Sequence, residues 1–209
     1  MAIHLHKHDI PAGLDFGDAV AVDTETQGLS LVRDKLCLVQ LSSGDGDAHL
    51  VQMDRDKYDC PNLKALMADP DVEKIFHFAR FDVAIMQRDL GVDCTPLFCT
   101  KIASGLTRTY TDSHGLKALC KELLSIDLSK QQQSSDWASE TLSKAQQEYA
   151  ASDVLYLHQL RRVFIGRLLR EGRMDMARAC FDFLPTRTTL DRMGWDGIDI
   201  FSHSFRRND

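Results

Sequence analysis

Short, almost wholly apolar runs occupy the first half of the chain, and stretches of helical periodicity occupy the second. Residues 19–23, 36–41 and 48–52 are apolar runs of strand length. Ser43-Gly44-Asp45-Gly46-Asp47 between the last two reads as a turn, so these three strands are expected to form an antiparallel meander. A short helix is expected over residues 61–67, with Pro61 or Asn62 near its cap. A fourth strand over 72–78, a helix over about 80–90 and a weaker fifth strand over 97–99 follow. From Gly115 onward the period is helical: Leu116, Leu119, Cys120 and Leu123 recur at helical spacing. Ala150, Val154, Leu157, Leu160, Phe164 and Leu168 form a stripe that reads as one long helix, ended by Gly172. A last helix is expected over 174–183, ahead of Pro185. Gln131-Gln132-Gln133-Ser134-Ser135 is a biased patch too short to be a linker, and no internal repeat is present. The pattern predicts an α/β fold, a single domain built on a mixed β-sheet flanked by helices.

Composition narrows the function. A chain of 209 residues with 44% hydrophobic content buries one core. Its first thirteen residues lack the apolar stretch of a secretory leader, and no run approaches the roughly 18 apolar residues of a membrane span. Cys37, Cys60, Cys94, Cys99, Cys120 and Cys180 include no C-x-x-C pair and read as reduced core residues of a cytoplasmic protein. The net charge of −6 counts against a long polyanionic substrate. Residues 161–209 nevertheless hold ten of the fifteen arginines against seven acids, a balance of +3. A short oligonucleotide needs few phosphate contacts, so nucleic acid stays admissible, although an arginine run alone is more simply a solvated helix face.

The chemistry rests on four acids in three segments. Asp23 and Glu25 close the first apolar run, Asp82 follows the fourth, and Asp153 lies one helical turn after Tyr149. Carboxylates at the ends of buried strands are costly unless positive charge meets them. Two divalent cations, Mg2+ or Mn2+, would do so, and a metal pair is suited to phosphodiester hydrolysis. D-x-E and Y-x-x-x-D are each weak signals, and surface acids with a chance arrangement are the plain alternative. Their order and their placement on strand, strand end and helix make the joint signal strong. His4, His6 and His8 alternate as on a strand; with no acidic partner expected nearby in the fold, they read as a solvated edge.

These motifs resemble the three exonuclease motifs of the DEDD superfamily. The tyrosine in the third motif resembles the branch that holds ribonuclease D and polymerase proofreading domains. Ser135-Asp136-Trp137 followed by Tyr149-Ala150-Ala151-Ser152-Asp153-Val154 is similar to the matching stretch of ribonuclease D-like enzymes, and the resemblance covers residues 19 to 170. One departure is Phe78, where polymerase-type members place asparagine; His77 beside it matches the ribonuclease D form. The resemblance implies a ribonuclease H-like fold, two divalent cations and release of 5′-mononucleotides from the 3′ end. It implies Asp23, Glu25, Asp82 and Asp153 as metal ligands, Asp23 bridging, with Tyr149 orienting the attacking water or taking its proton. It also implies substrate contacts from the Thr24 backbone N–H, from Leu29 as a wedge between terminal bases, and from His77. A plain apolar residue after a turn and a satisfied core histidine remain the alternatives for Leu29 and His77.

The short, arginine-ended members of this branch imply very short single-stranded RNA, dinucleotides included, as substrate, and a homo-oligomer, a closed ring of eight. Residues 1–170 are expected to form the exonuclease domain. Residues 171–209 are expected to form a helical, aromatic extension packed on that domain or on a neighbouring subunit. Trimming of structured RNA 3′ ends and a non-catalytic nucleic-acid-binding scaffold are the competing functions.

Overall fold

The computed structural model describes residues 2–129 and 135–204. Most of the glutamine-rich patch lies outside the described residues. Six strands, β1 (Ile3–Lys7), β2 (Ala19–Thr26), β3 (Leu36–Ser42), β4 (Ala48–Gln52), β5 (Glu73–Phe76) and β6 (Leu97–Cys99), form one mixed sheet in the order β1-β4-β3-β2-β5-β6. The expected meander is present, with β2 antiparallel to β3 and β3 antiparallel to β4. Strands β5 and β6 extend it in parallel from β2, and β1 closes the far edge, parallel to β4.

Seven α-helices follow: α1 (Pro61–Ala68), α2 (Ala79–Asp89), α3 (Thr100–Thr107), α4 (Leu116–Leu124), α5 (Lys144–Leu155), α6 (Leu157–Arg170) and α7 (Met174–Leu190). Helix α5 lies across β2, β3 and β4, while α7 packs on α2, α3, α6 and β6. A large core gathers the sheet and most helices. A second cluster of Cys37, Leu38, Leu50, Trp137, Leu142 and Ala150 sits beside α5. Among the described residues, no helix is long and apolar enough to cross a membrane.

Helix α1 starts at Pro61 as expected, with Cys60 before it at the cap position. Its free N–H groups are met from a distance, with Asp9 accepting from Asn62 N at 2.9 Å and Leu63 N at 2.8 Å. Helix α3 had no periodic signal because its buried positions are Thr100, Ala103, Ser104 and Thr107, mostly small or polar. The stripe from Ala150 to Leu168 is two helices that break at Tyr156. The last helix runs through Pro185 to Leu190. Proline removes one backbone donor, but Phe181, Leu184 and Thr188 hold the buried face together. The Pro185 carbonyl is met by Thr188 Oγ1 and Thr189 Oγ1 at 2.9 Å and by Gln87 Nε2 at 3.1 Å. The histidines of β1 do have an acidic neighbour, since pairing with β4 brings Asp47 to 3.9 Å from His4.

Candidate active site

Strand β2 delivers the first two acids. Residues two apart on a strand face the same way, so Asp23 and Glu25 project together towards the helix lying over this part of the sheet. The pairing of β2 with β3 shifts register between Glu25 and Thr26, at the end of this acidic pair. Helix α5 supplies Asp153 one turn beyond Tyr149. Its start is fixed by a capping box in which Gln146 N donates to Ser143 Oγ and Ser143 N donates to Gln146 Oε1. The result is a compact group: carboxylate oxygens of Asp23, Glu25 and Asp153 lie within 4.8 Å of one another.

Asp82 enters from the first turn of α2, whose preceding residue Phe78 takes a left-handed backbone with φ of 68°. Asp82 lies outside that group of three and is nearly buried. Its Oδ1 accepts from Thr24 Oγ1 at 2.6 Å. Thr24 sits between the two strand acids in sequence but points away from their face. Its hydroxyl therefore ties β2 to α2, a role the sequence reading missed in favour of its backbone N–H.

Electrostatics identify what the cluster lacks. Burial above all, then repulsion from Asp82, Asp153 and Glu25, raises Asp23 well above the ordinary carboxylate range. Glu25 is pushed up to about 9 by burial, then by Asp153 and Asp82. Asp153 rises to about 7 for the same two reasons, burial and the charge of Asp82. Asp82 also reaches about 7 through burial, restrained by hydrogen bonds from the Thr24 hydroxyl and from backbone N–H groups. No lysine or arginine among the described residues counters these shifts. An all-oxygen donor set of this charge suits a hard cation such as Mg2+ or Mn2+. Ligands at about 2.1 Å from a shared Mg2+ are at most about 4.2 Å apart, so the three-acid group needs only a small adjustment to close on one.

Tyr149 lies beside this charge, and burial followed by Asp153, Glu25 and Asp23 raises its phenol above the ordinary value. Trp137 is buried with its ring centroid 6.0 Å from that of Tyr149. The segment bearing Trp137 is strapped down by Arg55 Nη1 donating to Ala138 O at 2.7 Å and Gln52 Nε2 donating to Ser139 O at 2.7 Å. The S-D-W motif was visible in the sequence, but its task of backing Tyr149 was not.

The remaining candidates take separate positions. His77 pairs through Nδ1 with Thr100 Oγ1 at 2.9 Å, while that hydroxyl donates to Phe76 O. A hydroxyl has one proton, so Nδ1 must donate and Nε2 is left as an acceptor. Burial first and Lys101 second lower the His77 pKa to about 4, which keeps the ring neutral. Leu29 is 86% exposed on the β2–β3 connection. That connection is pinned: Ser30 N donates to Asp34 Oδ2 at 2.9 Å, and Arg88 donates to Leu31 O and Asp34 O at 2.7 Å. A Cβ at Gly28 would collide with the Asp34 carboxylate, so glycine permits this close approach. Phe78, 44% exposed, carries the Lys101 ammonium 4.0 Å from its ring centroid and borders a cavity of about 370 Å3 with Arg80, Phe183 and Arg187.

A mixed sheet of this order under flanking helices, with acids converging from strand, strand end and late helix, is the ribonuclease H-like exonuclease architecture. The profile of the family described as 3′-5′ exonuclease matches residues 7–168, and the chain belongs to that family. Ribonuclease D of Acidiphilium cryptum is 36% identical over 156 residues, covering 75% of this chain and 39% of that protein. The chain thus spans about two-fifths of the length of the curated relatives it matches. Similarity to Brucella melitensis NrnC runs end to end. The structure of NrnC with bound Mg2+ is 55% identical, covers 98% of this chain and 100% of its own, and superposes with a TM-score of 0.93. NrnC bound to pGG is 56% identical over the same shares, with a TM-score of 0.94.

Proposed function

We propose that the protein is a metal-dependent 3′-5′ exoribonuclease that degrades very short RNA, dinucleotides included, to 5′-mononucleotides. The observation that carries this reading is the buried group of Asp23, Glu25 and Asp153 with Asp82 beside it, four crowded acids whose charge divalent cations would balance. Asp23, Glu25 and Asp153 would hold one cation, and Asp82 with Asp23 the second. When bound, such a pair supplies a nucleophilic water and neutralises charge building on the phosphate. Tyr149 would orient the attacking water or take its proton, with Trp137 holding its ring in place. His77 offers the Nε2 lone pair to a sugar hydroxyl, the Thr24 backbone N–H meets the terminal ribose, and exposed Leu29 separates the two terminal bases.

Short RNA is favoured by the end-to-end likeness to NrnC, a protein solved with pGG bound. The longer ribonuclease D relatives favour trimming of structured 3′ ends, but this chain matches only a part of them. Residues 171–209 are proposed as an extension that covers the catalytic domain through α7 and leaves Met193, Trp195 and Phe201 exposed for a second copy. A homo-oligomer, an eight-membered ring by resemblance, working in the cytoplasm completes the proposal. The test is a time course on end-labelled RNAs from two nucleotides upward, with Mg2+ and with chelator. Mononucleotides released from the 3′ end, fastest for the shortest substrate and absent in chelator, are expected. Cleavage of circular RNA would contradict exonuclease action, and faster turnover of structured RNA would favour the trimming role.

A further inference from the structure

Gln40 is fully buried in β3, and neither its Nε2 nor its Oε1 has a hydrogen-bond partner. Such a group costs stability, because an amide taken out of water without compensation keeps its full desolvation penalty. Register says where compensation lies. Gln40 stands directly opposite Asp23 in the antiparallel β2–β3 pair, and opposite Leu50 on its other side. Directly opposed residues share a face with Cβ atoms about 5 Å apart, so the Gln40 amide and the Asp23 carboxylate emerge side by side beneath α5. Leu50 is apolar, and although the covering helix adds Asp153 to the cluster, Asp23 is the acid set directly across from Gln40.

We infer that Gln40 is a positioning residue for the carboxylate cluster: a side-chain rotation lets its amide N–H donate to Asp23 and fix that carboxylate for cation binding. This rests on the reading of the cluster as a metal site. Aspartate has four lone-pair directions, and a cation occupies only some of them. A donor at the far oxygen sets the rotamer and favours the ionised form. A side chain retained only for packing would be served as well by an apolar residue of like shape. The amide is explained by its use.

The test compares wild type with Gln40→Met in the full chain, reading Mn2+ affinity by electron paramagnetic resonance without substrate. A loss of about tenfold or more is expected, as for other groups that orient metal ligands. The metal-free melting temperature should hold or rise, since an unpaired buried amide is replaced by an apolar group. Equal Mn2+ affinity in a folded Gln40→Met overturns the inference. If that variant does not fold, the wild-type side-chain amide decides by NMR. Its protons should shift and exchange more slowly on titration with Mg2+, and resonances that do not move overturn the inference. A wild type that binds no Mn2+ overturns the metal-site reading itself, and the role of Gln40 falls with it.

Discussion

Individual side chains at the site divide by what they hold. Asp23, Glu25 and Asp153 face one another, and Asp82 is steadied by the Thr24 hydroxyl. Asp23→Asn or Asp153→Asn should lower kcat by about 10²–10³-fold or more, the scale of losing one group that stabilises transition-state charge. The melting temperature without metal should not fall, because each variant removes a repelling carboxylate. Steady-state kinetics and a melt on the same sample check both halves. Tyr149→Phe keeps the ring and loses the donor, and a fall in kcat of roughly 10²-fold is expected. An unchanged kcat would assign the ring to packing against Trp137.

Each secondary element contributes a specific constraint. Helix α5 is worth most, since it carries two site residues and covers three strands. Ser143→Ala deletes its capping hydroxyl and should cost about 1 kcal/mol in urea unfolding, with a smaller loss of activity than any ligand variant. A loss beyond about 2 kcal/mol would mean that the cap supports more than α5. The β2–β3 connection owes its shape to Gly28, Asp34 and Arg88. Arg80 and Arg187 clamp Asp191 beyond α7, with Arg80 Nε donating to Asp191 Oδ2 at 2.5 Å. That carboxylate anchors the C-terminal segment to the first turn of α2, the turn that carries Asp82.

For the molecule as one unit, the acid cluster sets the response to pH and metal. Glu25, Asp82 and Asp153 have folded pKa values raised above their unfolded values near 4. The folded state therefore holds more protons than the unfolded state through this window. The stability they contribute is full below about pH 4 and is lost as pH rises through about 7 and then 9. Metal-free protein should melt at progressively lower temperature from pH 5 to 9, and Mg2+ should raise the melting temperature more at pH 8 than at pH 6, because binding displaces protons. Calorimetry with and without chelator reads this, and a metal effect independent of pH would contradict it. Light scattering at micromolar concentration tests assembly, with a mass several times that of one chain expected and a monomer ruling the ring out.

Much of the site was legible because its chemistry is written in residue type and order. D-x-E after an apolar run, the acid following the fourth strand and Y-x-x-x-D each sit within a single element, where strand or helix periodicity alone orients them. The same local rule yielded the meander and both boundaries of β6. It failed where the deciding contact was distant: Asp9 capping α1, the break at Tyr156, and α7 passing through Pro185 while its buried face packs on α2 and β6. Thr24 was legible only for its backbone N–H, and folding adds a second role by setting its hydroxyl against Asp82, 58 residues away. Gln40 looked like one polar residue in a strand until pairing set it opposite Asp23. Which acids the chain offers follows from composition and period. How they are backed, oriented and desolvated is a property of packing between elements, which no local pattern encodes.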